Sequence, residues 1–387
     1  MARRLSARRT AGATAIALGS LGLAVSAAAA IVAVLFARTV VTPPKSRPED
    51  VRIVRVGEHT ITLSATLDSM TPGRYSLWFR RDAGHARVGE ILSYTDETVT
   101  RQLLGVDFGE LEGARRARMG GWYYLSPADL GVEWNDVVIE TELGAAPAWL
   151  VPAQGSTDRW VIHVHGRAVR RQEALRAVPV FRELGYTSLV VSYRNDGDAP
   201  DTDDHRYSLG DTEWHDLEAA MAWALDHGAK HLILMGWSMG GAIVLQAVTR
   251  SPLAASVRGV ILDSPVIDWI TALKFHAGVN RLPALVQRGV FTLLTTKWAG
   301  ILTGQAAPID LDRLDFVARA AQLNKPILLM HSSADDYIPP TASRALAEAR
   351  PDLVTYEEFA PARHTKLWNY DSDRFNRAIE RWLARIS

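Results

Sequence analysis

His231-Leu-Ile-Leu-Met-Gly236-Trp-Ser238-Met-Gly240-Gly-Ala-Ile-Val-Leu-Gln-Ala-Val248 is the stretch on which the reading of the chain turns. Residues 231–235 form a short strand-like run, and the residues after Ser238 are apolar enough for a helix that packs on a sheet. Between them, Gly-x-Ser-x-Gly puts small residues where a strand must turn at once into a helix. Larger side chains at the flanking positions would collide there, while the serine is held forward at the tip of the turn. A serine that only caps the following helix is the plainer alternative.

Working outward, the same rhythm repeats. Trp160–Val164, Ser188–Val191, Val260–Leu262, Ile327–Met330 and Val354–Phe359 are strand-like. Helical stretches run from about Arg170 to Glu183, Thr212 to His227 and Asp371 to Arg385. Short apolar strands alternating with longer helices predict an α/β fold: a mostly parallel sheet covered by helices on both faces, with its sites at strand carboxyl ends. Residues 51–146 differ. Val51–Val56, Thr60–Leu63, Tyr75–Phe79, Thr98–Thr100 and Val137–Thr141 are separated by turns such as Pro72-Gly73, which predicts a β-rich region. It is either an accessory domain or, in its last strands, an extension of the following sheet. Trp122, Tyr123 and Tyr124 read as interdomain packing, with an aromatic binding surface as the alternative.

Ser238 in this strand-turn-helix setting resembles the nucleophile of the α/β-hydrolase superfamily, and residues 147–387 look closest to prolyl-oligopeptidase and acylaminoacyl-peptidase catalytic domains. The resemblance implies an acid and then a histidine farther along. Asp335, in Ile327-Leu-Leu-Met-His-Ser-Ser-Ala-Asp335-Asp-Tyr-Ile-Pro339, stands at the family's aspartate position, although Ser332 replaces its usual glycine. Asp336 and Asp263 are the other acid candidates. His364, between the last strand and the terminal helix, is the implied base. The backbone amides of Met239 and Arg167 are the implied oxyanion donors, the latter in the loop His165-Gly166-Arg167-Ala168. Between Asp263 and Asp335 the chain exceeds an ordinary crossover. This predicts a helical lid at residues 266–322, with Trp237, Trp269, Phe275 and Trp298 as pocket walls or, alternatively, core.

The expected function is that of a serine hydrolase cleaving carboxylic ester or related acyl bonds through an acyl-enzyme, on a small-molecule acyl substrate or a short peptide. A peptidase or amidase, and a noncatalytic binding protein on the same fold, are the alternatives. No cofactor and no metal are expected. The sequence has no P-loop, dinucleotide fingerprint or HExxH motif, and the aspartates of 196–211 lack the EF-hand spacing.

Composition bounds the rest. The 387 residues are 48% hydrophobic and 22% charged, enough for a large core, and contain no cysteine, so thiolate chemistry and disulfides are excluded. The 43 basic and 43 acidic side chains balance, which argues against a nucleic-acid partner. From Thr10 to Ala37 the sequence carries no charge, with Arg3, Arg4, Arg8 and Arg9 before it. A helix over that run would be about 42 Å long, enough to span a bilayer. The expectation is a signal anchor within residues 1–41. It would give a single-pass cell-membrane protein with membrane contact through the N-terminal helix and an extracytoplasmic catalytic domain, or a secreted one if the segment is cleaved. Residues 42–50, with three prolines, read as a stiff linker.

Overall fold

The computed structural model of the chain describes residues 26–386. Its centre is an eight-stranded sheet. The strands are β7 (Asn135–Thr141), β8 (Gly144–Val151), β9 (Arg159–Val164), β10 (Thr187–Val191), β11 (His231–Trp237), β12 (Val257–Asp263), β13 (Ile327–Ser332) and β14 (Val354–Phe359), in the order β14-β13-β12-β11-β9-β10-β8-β7. From β14 to β10 every pairing is parallel, and β8 and β7 add an antiparallel edge. The last strands of the β-rich region therefore extend the sheet.

Helices cover both faces because the strand residues alternate between two apolar layers. In β11, Leu232 and Leu234 join the layer containing Ile243 and Val244, while Ile233, Met235 and Trp237 join the layer containing Phe375, Ile379 and Trp382. Each such side chain removed from water stabilises the fold by about 1.5–3 kcal/mol. The first layer is covered by α3 (Trp214–Asp226) and α4 (Met239–Arg250). On the second pack α2 (Val178–Glu183), preceded by the 3-10 turn Arg171–Ala177, and α10 (Ser372–Ile386). Between β12 and β13 the chain inserts α5 (Trp269–Val279), α6 (Ala284–Thr295) and α7 (Gly300–Thr303), and α8 (Thr341–Ala349) links β13 to β14.

Ahead of the sheet, β1 (Val51–Val56), β2 (Thr60–Ser64), β3 (Tyr75–Phe79), β4 (Gly84–Tyr94), β5 (Thr98–Phe108) and β6 (Arg116–Gly120) close into a barrel in the order β1-β2-β5-β4-β3-β6. Arg101 is fully buried there. Its guanidinium donates to the carbonyls of Gly89, Ser69, Thr71 and Gly73, fixing the loop that leaves β2. That loop docks on the central-sheet domain. The Arg74 amide donates to the Asn369 carbonyl at 2.9 Å, the Asn369 amide returns a bond to the Arg74 carbonyl at 2.9 Å, and Lys366 meets Asp68 at 2.8 Å. Gly73 has φ 107°, and a Cβ there would lie 2.1 Å from the Asn369 carbonyl oxygen. Asn369 belongs to α9 (Leu367–Tyr370), so the barrel braces the segment just after His364.

The expected membrane segment is corrected. No helix among the described residues is long and apolar enough to cross a membrane. Residues 10–25 lie outside the described residues. The described part of the run, helix α1 over residues 26–41, packs instead on the protein: Ala33, Ala37 and Val41 are buried in the core layer that also holds α6. Its last turn is tied down, because the Arg167 guanidinium donates to the carbonyls of Thr39, Val40 and Thr42 and the Tyr207 amide to that of Val41. The single-pass topology, the membrane as partner and the cell-membrane localisation are overturned with it. The physical reason is that alanines four residues apart make a narrow stripe suited to close packing, which average hydropathy cannot distinguish from a lipid-facing run.

Candidate active site

The strand-to-helix turn sits at the carboxyl end of β11. Ser238 has φ 50° and ψ −117°, a conformation rarely adopted by a residue with a Cβ. It is held there by bonds on both sides: its amide donates to the Asp263 carbonyl at 3.0 Å, and its carbonyl accepts from Gly241 and Val266 at 3.0 Å. The glycines explain why only this sequence fits. A Cβ at Gly236 would lie 2.4 Å from the Gly240 carbonyl oxygen, and one at Gly240 would lie 2.2 Å from that of Val164.

Asp335 and His364 come to the same place from the loops after β13 and β14. His364 Nε2 is 2.9 Å from Ser238 Oγ, and His364 Nδ1 is 2.7 Å from Asp335 Oδ2. The second carboxylate oxygen, Oδ1, accepts the backbone amides of Tyr337 and Ile338 at 2.9 and 2.8 Å, and His331 lies 3.2 Å from Oδ2. Burial opposes charge on Asp335, but the His364 and His331 imidazoles hold its carboxyl well below the usual range. Burial likewise pulls His364 down, and the charge and hydrogen bond of Asp335 outweigh it, leaving the imidazole above its ordinary value. The His364 side chain keeps 16% of its surface exposed, so the row has one open end. Chemically, a hydroxyl, an imidazole and a carboxylate in hydrogen-bonded sequence can move a proton off the hydroxyl as it attacks a carbon.

The other acid candidates stand apart. Asp336 turns outward and pairs with Arg363. Asp263 is fully buried at the end of β12, where Ser264 Oγ donates to Oδ1 at 2.9 Å, and it makes no hydrogen bond to His364. Burial pushes its carboxyl up to about 6, against the opposing charge of Arg176.

The loop expected to carry the second oxyanion donor lies beside Ser238: a Cβ on Gly166 would be 3.2 Å from Ser238 Cβ. Glu173, which sequence reasoning passed over, fixes this loop to the histidine loop. Its Oε2 accepts the Gly166 amide at 2.9 Å, and its Oε1 accepts the Thr365 hydroxyl at 3.2 Å. Buried Arg176 adds a bond to the Thr365 carbonyl at 2.7 Å. The Arg167 side chain is committed to α1, and Met239 opens α4 with its side chain buried.

Of the expected pocket walls, Trp237 points to the far side of the sheet, its ring 5.9 Å from that of His163. Trp269 is buried and donates its indole N–H to the Leu209 carbonyl at 2.7 Å. Phe275 is half-buried in α5, and Trp298 is 60% exposed. The rings nearest the imidazole were not singled out: Tyr337 lies 5.1 Å from His364, and His276 of α5 lies 4.5 Å from Tyr337. Burial, then the charges of His364 and Arg167, keep His276 below its ordinary value. Only the position of His276 in the expected lid hinted at this.

The alpha/beta hydrolase family matches residues 161–378, more than half of the chain, and a domain of unknown function (DUF8805) matches residues 52–120, the barrel. The uncharacterised protein Rv2307c of Mycobacterium tuberculosis (strain ATCC 25618 / H37Rv) is 24% identical over 258 residues, which cover 65% of this chain and 80% of that protein. Among solved structures, the Pyrococcus furiosus esterase Pf2001 superposes with a TM-score of 0.53 at 19% identity, over 68% of this chain and 94% of that one. At that identity the likeness is one of fold.

Proposed function

Since the chain belongs to the alpha/beta hydrolase family, we propose that it is a serine hydrolase that cleaves carboxylic esters or related acyl bonds. The observation that carries this reading is the unbroken row from Ser238 Oγ through His364 to Asp335, with the serine in a strained, forward conformation. Ser238 Oγ attacks the acyl carbon while His364 Nε2 takes its proton, and Asp335 stabilises the imidazolium that results. The amides of Met239 and Arg167 receive the developing oxyanion. His364 then returns the proton to the leaving alcohol, and the acyl group stays on Ser238. In the second half, His364 takes a proton from water, the resulting hydroxyl attacks the acyl-enzyme, and the acid departs as Ser238 recovers its proton.

A peptidase or amidase is the second reading. The observation in its favour is the barrel, which reaches the segment beside His364 through Arg74 and Asn369 and would restrict access to short chains. Kinship with prolyl-oligopeptidase and acylaminoacyl-peptidase catalytic domains belongs to this reading. Turnover of a p-nitrophenyl acyl ester series beside a panel of short blocked peptides tests both. Ester turnover that is lost in Ser238→Ala supports the proposal, peptide turnover at equal or higher kcat/KM moves it to the second reading, and activity retained in Ser238→Ala refutes it.

A further inference from the structure

Behind the loop that passes Ser238, a cavity of about 1010 Å³ opens between the barrel, the linker after α1 and the loops following β9 and β10. It contains none of Ser238, Asp335 and His364, and the acyl-transfer reading gives it no task. Its walls come from four separate parts of the sequence.

One wall is aromatic. Trp78 of β3 stands 5.1 Å from Trp122 and 6.1 Å from Phe108 of β5, ring centre to ring centre, and Tyr207 lines the cavity from the β10 side. Elsewhere the lining carries five cationic side chains, Lys45, Arg47, Arg118, Arg170 and Arg206, against three carboxylates, so its charges do not cancel. The lining carboxylates are already engaged. Asp82 accepts from Arg118 at 2.9 Å, and Asp201 lies 2.9 Å from His205 Nδ1. Asp196 accepts the amides of Tyr193, Asp198 and Ala199 and lies 3.0 Å from His165. Arg170 is paired with Asp198. The Arg206 guanidinium donates to the carbonyl oxygens of Thr303 and His205. Lys45 and Arg47, both in the linker, make no hydrogen bond or ion pair among the described residues.

Arg47 is the decisive one. It is partly buried; burial, and then the neighbouring Arg118 charge, lower its guanidinium below the ordinary value, and the charges of Glu173 and Asp82 offset this only in part. A guanidinium partly withdrawn from water, with no acceptor hydrogen-bonded to it among the described residues, can take an anion. Two further donors in wall residues, Trp122 Nε1 and Arg118 Nε, are buried with no acceptor among the described residues.

We propose that this cavity binds an organic anion, an acidic group on a flat apolar body, with Arg47 holding the acidic group and the Trp78–Trp122–Phe108 cluster receiving the body. An aromatic wall with a few placed donors is the ordinary form of a small-molecule site, and a guanidinium matches a carboxylate, sulfonate or phosphate in shape and charge. The site gives the barrel a task of its own, since Trp78, Phe108 and Arg118 come from it. It stands independently of the acyl-transfer reading.

The test is calorimetric titration of the full chain with naphthalene-1-sulfonate, with 1-naphthol as the uncharged control. Expected are one saturable site for the sulfonate, weaker binding of the naphthol, and a Kd raised about ten- to a hundredfold in Arg47→Gln, the range for losing one charge-assisted hydrogen bond. Arg47→Lys should recover part of the loss. Ser238→Ala should bind as the parent does, so failure of the acyl-transfer proposal leaves this result unchanged. Quenching of tryptophan fluorescence by the sulfonate should shrink in Trp122→Phe. Absence of saturable binding at millimolar sulfonate, or an Arg47→Gln variant that binds as tightly as the parent while retaining its melting temperature, overturns the proposal.

Discussion

Replacing Asp335 by Asn is the perturbation whose consequences the geometry specifies most fully. The substitution keeps the size of the side chain, and Oδ1 keeps the amides of Tyr337 and Ile338, so the loop after β13 has no reason to move. What disappears is the charge 2.7 Å from His364 Nδ1. With charge centres about 4 Å apart and an effective dielectric near 20, an imidazolium and a carboxylate attract by about 4 kcal/mol. In the proposed mechanism that stabilisation exists only once His364 has taken the serine proton, so kcat/KM for an ester should fall about a thousandfold. The pH profile separates this from mere damage. His364 must be neutral to accept a proton, so the rate rises as pH climbs through its pKa. Asp335 raises that pKa, and its removal moves the acidic limb to lower pH. Stopped-flow or steady-state ester hydrolysis from pH 4 to 9, on protein with an unchanged circular dichroism spectrum, reads both effects. A loss below tenfold with the limb unmoved would refute the reasoning.

Other expectations follow from the same coordinates. In Gly240→Ala the new methyl would stand 2.2 Å from the Val164 carbonyl oxygen and 2.5 Å from that of His165, both backbone atoms of the central sheet's rim. A stability loss of about 3 kcal/mol should appear as a lowered urea midpoint, and an unchanged midpoint contradicts the packing argument. Asp263 has a folded-state pKa raised from 3.8 to about 6, so the stability it contributes is complete below pH 3.8 and lost as pH rises through 6. Relative to the parent, Asp263→Asn should gain about 3 kcal/mol across that window. Parallel stability–pH curves for the two proteins would show that the raised pKa is absent.

The alternating strands and helices from Trp160 onward were legible because most of the strands are short and apolar on both sides, with helical runs between them. The turn at Gly236–Gly240 was legible because its glycines answer a steric demand visible in the sequence itself. Ser238, Asp335 and His364 were singled out by order and by their places after strands, and the fold sets them in one row. Trp237 shows the limit of spacing: one residue from the serine in sequence, it alternates to the opposite face of the sheet. The barrel was only half readable. β4 and β5 pair with several register shifts, which break the period of two, and closure depends on β1 meeting β6 across the length of the domain. The uncharged N-terminal run misled because hydropathy does not name the partner of an apolar stripe; Ala33 and Ala37 found protein. His276 and Tyr337 reach His364 only through the folding of the inserted helices over the sheet, a tertiary fact without a local signal.

The central claim is that one activated hydroxyl carries the chemistry. Intact-mass spectrometry after treatment with a fluorophosphonate, followed by peptide mapping, tests it most directly. The account predicts a single adduct on the peptide containing Ser238, absent from Ser238→Ala and formed far more slowly in His364→Ala. Folded protein that stays unlabelled, or that carries its adduct on any other residue, would contradict it.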